Sequence, residues 1–94
     1  SEEYMGLPIQ EEIDYIDKEI ISLLAKRMQM ADAIGIEKRN EEISIFQPER
    51  WAEIVSRLLV EAEKSNLSQE FIFSLTEAIH IESIQHQSAK MNNP

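Results

Sequence analysis

The amino-acid sequence predicts an all-α protein, with three helices per chain (long, short and medium) that pair with a second copy of the same chain. Three observations carry this expectation. Helix breakers are scarce, with two glycines and three prolines among 94 residues, and Ile, Leu, Ala, Glu and Lys are abundant. Apolar residues recur at spacings of three and four. The first periodic segment is too long for one small chain to cover.

That segment runs from about Ile9 to Arg39 without a proline, carrying Ile9, Ile13, Ile16, Ile20, Leu23, Leu24, Ala31 and Ile34 on one stripe. At 1.5 Å per residue, ~30 residues make a rod of roughly 45 Å. A compact domain of this size has a radius of gyration near ~13 Å, so a second protomer is the natural cover for the stripe. Gly35 interrupts the pattern at a cost of ~1 kcal/mol relative to alanine, which a close helix approach would explain. Residues 40–47 read as a loop.

Pro48 opens the second helix, because a missing N–H costs nothing at a first helical position. Its stripe is Trp51, Ile54, Val55, Leu58, Leu59 and Ala62, ending near Lys64. Ser65 and Asn66 break it. Ser68 is the expected N-cap of the third helix, with Leu67 and Ile72 as a hydrophobic staple. Helix three continues through Phe71, Leu75, Ala78 and Ile79 to about residue 88, before a tail at Met91, Asn92, Asn93 and Pro94. The expected helices are thus 9–39, 48–64 and 68–88 of a single 1–94 domain.

Composition excludes several functions. The net charge is −9, with nine basic residues against eighteen acidic ones, which argues against a nucleic-acid backbone as partner. No apolar run is long enough for a membrane span or a secretory core. Without cysteine there is no disulfide, thiolate nucleophile or Cys-type zinc site, which fits a reducing, cytoplasmic setting. Ser1 leaves open a removed leader or an upstream domain.

Polar residues that interrupt apolar faces are the informative ones. Arg27 and Lys38, three turns apart, share the helix-one face of Ile20, Leu24, Ala31 and Ile34. Spacing alone favours cations that lay their stems on the core and their heads in water. Ser83 and Gln87 are i, i+4 neighbours on helix three, where a solvent-facing last turn is the plain reading. Arg50 lies in the first turn of helix two, against the macrodipole, and calls for an anion: Glu49, Glu53 or a ligand. Together, three cations and a neutral amide in an acidic protein point to a site for a small anion. His80 and His86, six apart, fall on different faces, so no metal pair is expected.

In this order and at these spacings, the residues resemble the all-helical chorismate mutases over about Ile9 to Gln87. The resemblance rests on Ile13-Asp14-Tyr15-Ile16-Asp17, Leu23-Leu24-Ala25-Lys26-Arg27, Ile34-Gly35 and Lys38. It continues in Pro48-Glu49-Arg50, Asn66-Leu67, and Ser83 with Gln87. It implies an intertwined homodimer that rearranges chorismate to prephenate, on the route to phenylalanine and tyrosine, without a cofactor or metal. It also implies roles. Arg27 would grip a substrate carboxylate, Lys38 would bond the ether oxygen and ring hydroxyl, and Gln87 would donate to the ether oxygen from the other side. Ser83 would seat the ring carboxylate, Arg50 would add charge at the rim, and the Gln47 backbone would meet the ring hydroxyl. Arg27, Lys38 and Gln87 should therefore converge on a largely water-free hollow.

Two positions depart from the family pattern. Gln10 stands where the family usually carries an arginine reaching into the partner's site, and Trp51 where a relative carries a glutamate facing the ring hydroxyl. Weaker substrate binding is the expected result of losing the arginine, whereas Trp51 also continues the helix-two apolar stripe. The stretch 78–87 is also similar to the mutase portion of proteins fused to DAHP synthase, which makes such a partner an expectation. Isochorismate–pyruvate lyase, on the same fold, and a weakly active or regulatory dimerisation module are the competing readings.

Overall fold

A computed structural model describes residues 7–92. Three α-helices make up the chain: α1 (Leu7–Glu41), α2 (Pro48–Lys64) and α3 (Gln69–Asn92). Among the described residues there is no strand. The chain divides into two compact units, Ser1–Met30 and Ala31–Pro94.

The first unit contains the amino-terminal part of α1, which begins at Leu7, two residues before the expected start. Pro8 explains the difference, since proline fits the first turn of a helix as well as the position before it. Within this unit the predicted stripe is exposed at several positions, Ile13 at 52%, Ile20 at 49% and Leu23 at 62%, while Leu24 is half-buried.

The second unit holds the end of α1 with α2 and α3. Lys38 and Arg39 lie in the last turn of α1, where cations complement the macrodipole. Two bonds close this end: Ile43 N–H donates to the Lys38 carbonyl at 2.9 Å and Glu42 N–H to that of Arg39 at 3.4 Å. Glu42 takes φ 59° to allow it. This is a Schellman cap with glutamate in the left-handed position that usually holds glycine. α2 ends the same way. Leu67 N–H donates to the Ala62 carbonyl at 2.9 Å and Asn66 N–H to that of Glu63 at 3.3 Å, with Asn66 at φ 57°.

The turn leads straight into α3, whose Ser68 Oγ accepts from the Phe71 N–H at 3.2 Å as an N-cap. α2 and α3 pack on one another, with Ala62 and Ile72 among the buried apolar residues. α3 runs on to Asn92, beyond the expected end near residue 88, so Met91 and Asn92 are helical rather than a tail. The cause is tertiary: Arg39 Nη1 donates to the Lys90 carbonyl at 2.9 Å, satisfying an orphan acceptor of the last turn. Asn93 and Pro94 lie outside the described residues.

Gly35 is where α1 meets α3. A Cβ there would stand 2.7 Å from the Gln87 carbonyl oxygen, 2.9 Å from its Cα and 3.2 Å from its carbonyl carbon. Only glycine lets the two backbones approach this closely. No helix among the described residues is long and apolar enough to cross a membrane.

Candidate active site

The close approach at Gly35 places Lys38, one turn further along α1, against the buried polar face of α3. Lys38 Nζ donates to Gln87 Oε1 at 2.9 Å and to the Ile45 carbonyl at 2.8 Å. Gln87 Nε2 in turn donates to Ser83 Oγ at 3.3 Å. Ser83 and Gln87 are 8% and 7% exposed, so the solvent-facing reading of this turn is replaced by a buried one. An ammonium has three N–H donors and a carboxamide two. The bonds just described use two on Lys38 and one on Gln87.

Burial removes water from the Lys38 ammonium and lowers its pKa from the ordinary lysine value. Its main chain and side chain both hold the α1–α2 loop. The Lys38 carbonyl receives Ile43 N–H, while the ammonium reaches Ile45. The next residue, Phe46, lies with its ring centroid 5.7 Å from that of His80, and Trp51 stacks on His80 at 4.0 Å with 17° between the planes.

The other predicted residues are distributed as follows. The Gln47 carbonyl accepts Trp51 N–H at 3.1 Å as α2 begins, which leaves one lone pair. Arg50 is exposed, and Glu53 is the anion beside it, at 3.9 Å. Solvent-exposed pairs of this kind contribute little. Arg27 and Gln10 belong to the first unit, the former half-buried and the latter exposed. A shallow hollow of about 560 Å³ along α2, lined by Ala52, Glu53, Ser56, Arg57 and Val60, contains none of the predicted residues. Among the described residues no cluster of three His, Asp or Glu could hold a metal ion.

The sequence addresses the two histidines only as a metal pair, set aside on spacing, and assigns neither another partner. His86 lies between Asp32 Oδ1 at 2.8 Å and Glu82 Oε2 at 3.1 Å. The Asp32 hydrogen bond does most to raise its pKa above the ordinary histidine value, with Glu82 adding to it and desolvation opposing. The Glu82–His86 spacing was a readable signal; Asp32, 54 residues away, gave none. The half-buried His80 shares a face of α3 with Ser83 and Gln87, at i+3 and i+7.

A hydrogen-bonded chain running from a desolvated ammonium through a carboxamide to a hydroxyl, on an all-helical frame, defines a class: a helical protein with a polar cluster built against a buried helix face. The family comparison narrows this class. The chorismate mutase type II profile matches residues 9–88, and the chain belongs to that family. Similar relatives include a T-protein of Haemophilus influenzae, 34% identical over 64 residues, covering 68% of this chain and 17% of the relative. A T-protein of Enterobacter agglomerans is 28% identical over 82 residues, 87% of this chain and 22% of the relative. A bifunctional chorismate mutase/prephenate dehydratase of Buchnera aphidicola is 33% identical over 81 residues, 86% of this chain and 21% of the relative. The chain therefore spans about a fifth of the length of these curated relatives. No solved structure matches it significantly.

Proposed function

We propose that the chain is a chorismate mutase, an isomerase that converts chorismate to prephenate for phenylalanine and tyrosine synthesis. The observation that carries this reading is the Lys38–Gln87 pair, in which the ammonium donates to the carboxamide oxygen at 2.9 Å against a buried face of α3 and each residue keeps a further N–H. The rearrangement is unimolecular and pericyclic, so it calls for no nucleophile, proton transfer or cofactor. As the C–O bond breaks, negative charge grows on the ether oxygen. Donors already aimed at that point stabilise the transition state more than the ground state, and one is typically worth ~3–4 kcal/mol.

In this reading Lys38 offers its third N–H to the ether oxygen and Gln87 its second from another side. Ser83 seats the ring carboxylate, Arg27 supplies a cation for a carboxylate, and Arg50 adds charge at the rim. The Gln47 carbonyl has a lone pair for the ring hydroxyl. Holding the dianion in its compact conformer adds an entropic contribution.

An intertwined homodimer and a cytoplasmic setting belong to the same proposal. The uncovered isoleucine stripe of α1 supports the dimer, because a lone chain that leaves it in water is marginal at this length. The stretch 78–87 supports a fused or associated DAHP synthase, and the chain's short span of its relatives is compatible with a larger protein. The deciding experiment is an absorbance assay of chorismate loss with the purified chain, paired with a size measurement. Prephenate formed by a dimer is expected. No turnover of chorismate, or salicylate and pyruvate from isochorismate instead, overturns the assignment.

A further inference from the structure

Asp32, Gly35 and Lys38 stand three residues apart on α1 and share one face of it. Gly35, the middle one, is where the backbone of α1 meets that of Gln87. A contact at one point leaves two packed helices free to pivot and to turn about their axes. Two side-chain bonds remove that freedom, one from each side of Gly35. Lys38 Nζ donates to Gln87 Oε1 at 2.9 Å, and His86 Nδ1 lies 2.8 Å from Asp32 Oδ1. His86 and Gln87 are consecutive, so their side chains leave α3 about 100° apart. Any turn of α3 about its axis therefore strains both bonds. The imidazole is itself fixed, because Glu82 Oε2 lies 3.1 Å from Nε2 and holds the ring at its second nitrogen. Arg39 adds a tie to the Lys90 carbonyl, but at an exposed position near the end of α3.

We propose that the Asp32–His86 pair is a positioning element of the active site, setting the rotation of α3 that aims the Gln87 carboxamide at the reacting ether oxygen. Neither residue touches the substrate. This inference rests on the mutase reading and says how that site keeps its geometry. A donor is effective only while it points at the oxygen on which charge develops, and a misplacement of ~1 Å can cost roughly 10²-fold in rate. Because the Gln87 contact strengthens in the transition state, the loss falls on kcat rather than on KM.

The test measures chorismate turnover by Asp32→Ala in the whole chain, alone and combined with Gln87→Ala. Asp32→Ala is expected to lower kcat about tenfold and to leave KM unchanged. Once Gln87→Ala is present, adding Asp32→Ala should lower kcat by about twofold at most, since no amide is left to aim. His86→Ala should match Asp32→Ala, and carries the same pairwise comparison if the latter does not fold. Asp32→Asn, whose carboxamide oxygen still accepts from Nδ1, should keep most of the activity. The same fold-loss with and without Gln87 marks a general effect on packing and overturns the positioning role. Full activity of Asp32→Ala, or a loss seen only in KM, overturns it too, and all three results leave the mutase assignment intact. Absence of chorismate turnover by the unaltered chain overturns both.

Discussion

The ammonium of Lys38 and the carboxamide oxygen of Gln87, 49 residues apart in sequence, lie 2.9 Å from each other. This contact fixes the orientation of the Gln87 amide, because the oxygen must face the ammonium and the Nε2 donors must turn elsewhere. On the proposed mutase reading, Lys38→Ala removes one donor to the substrate and the group that orients the other. A loss of roughly 10²–10³ in kcat is expected, read by the absorbance assay. Lys38→Ala with Gln87→Ala should cost less than the two single losses multiplied, since the side chains act as one unit. The lowered Lys38 pKa adds a pH signature: the alkaline limb of kcat/KM falls earlier than an ordinary lysine would give.

Gly35→Ala tests whether the backbone approach builds the site. The new methyl meets backbone atoms of Gln87 rather than a flexible side-chain tip. Overpacking of this kind costs ~1–3 kcal/mol, or roughly 5–20 °C in Tm for a domain of this length. Activity should fall further than stability alone explains, because Gln87 is the residue displaced. A folded, fully active variant with unchanged Tm is the contrary result.

Gln10→Arg restores the cation that the family pattern usually carries. If a substrate carboxylate lacks a charged partner in this chain, the gain is about 1.5–3 kcal/mol, roughly 10–150-fold in kcat/KM. Most of it should appear as a lower KM, since the contact is made equally in ground and transition states. No improvement means that the second carboxylate is already satisfied.

His86 makes stability depend on pH. Its folded-state pKa is raised above the unfolded value near ~6.5, chiefly by Asp32, then helped by Glu82. A group raised in this way contributes fully below the unfolded pKa and loses its contribution as pH rises through the folded value. Tm should therefore decline from about pH 6.5 upward, and less so in His86→Gln or Asp32→Asn. Thermal unfolding across that window checks it; identical slopes in all three proteins would remove the Asp32–His86 pair as the cause.

By itself the sequence determined that there are three helices and where the second begins and ends, because these depend on near neighbours. Pro48, Ser68 and the Asn66 turn act within a few residues of where they stand, and apolar spacing marks a helix before any packing exists. It also supplied the polar residues to watch: Lys38, Ser83 and Gln87, though spacing alone left each readable as solvated surface. Only the tertiary structure decided between those readings, because burial and partners depend on how closely two distant helices approach. Gly35 brings α1 onto Gln87, and from that contact follow the Lys38–Gln87 bond and the burial of Ser83. The reach of Arg39 to Lys90 carried α3 past its expected end, and the pairing of Asp32 with His86 had no local signal. The Trp51–His80 stack had none either, since side chains 29 positions apart meet only when the helices that carry them are already in place.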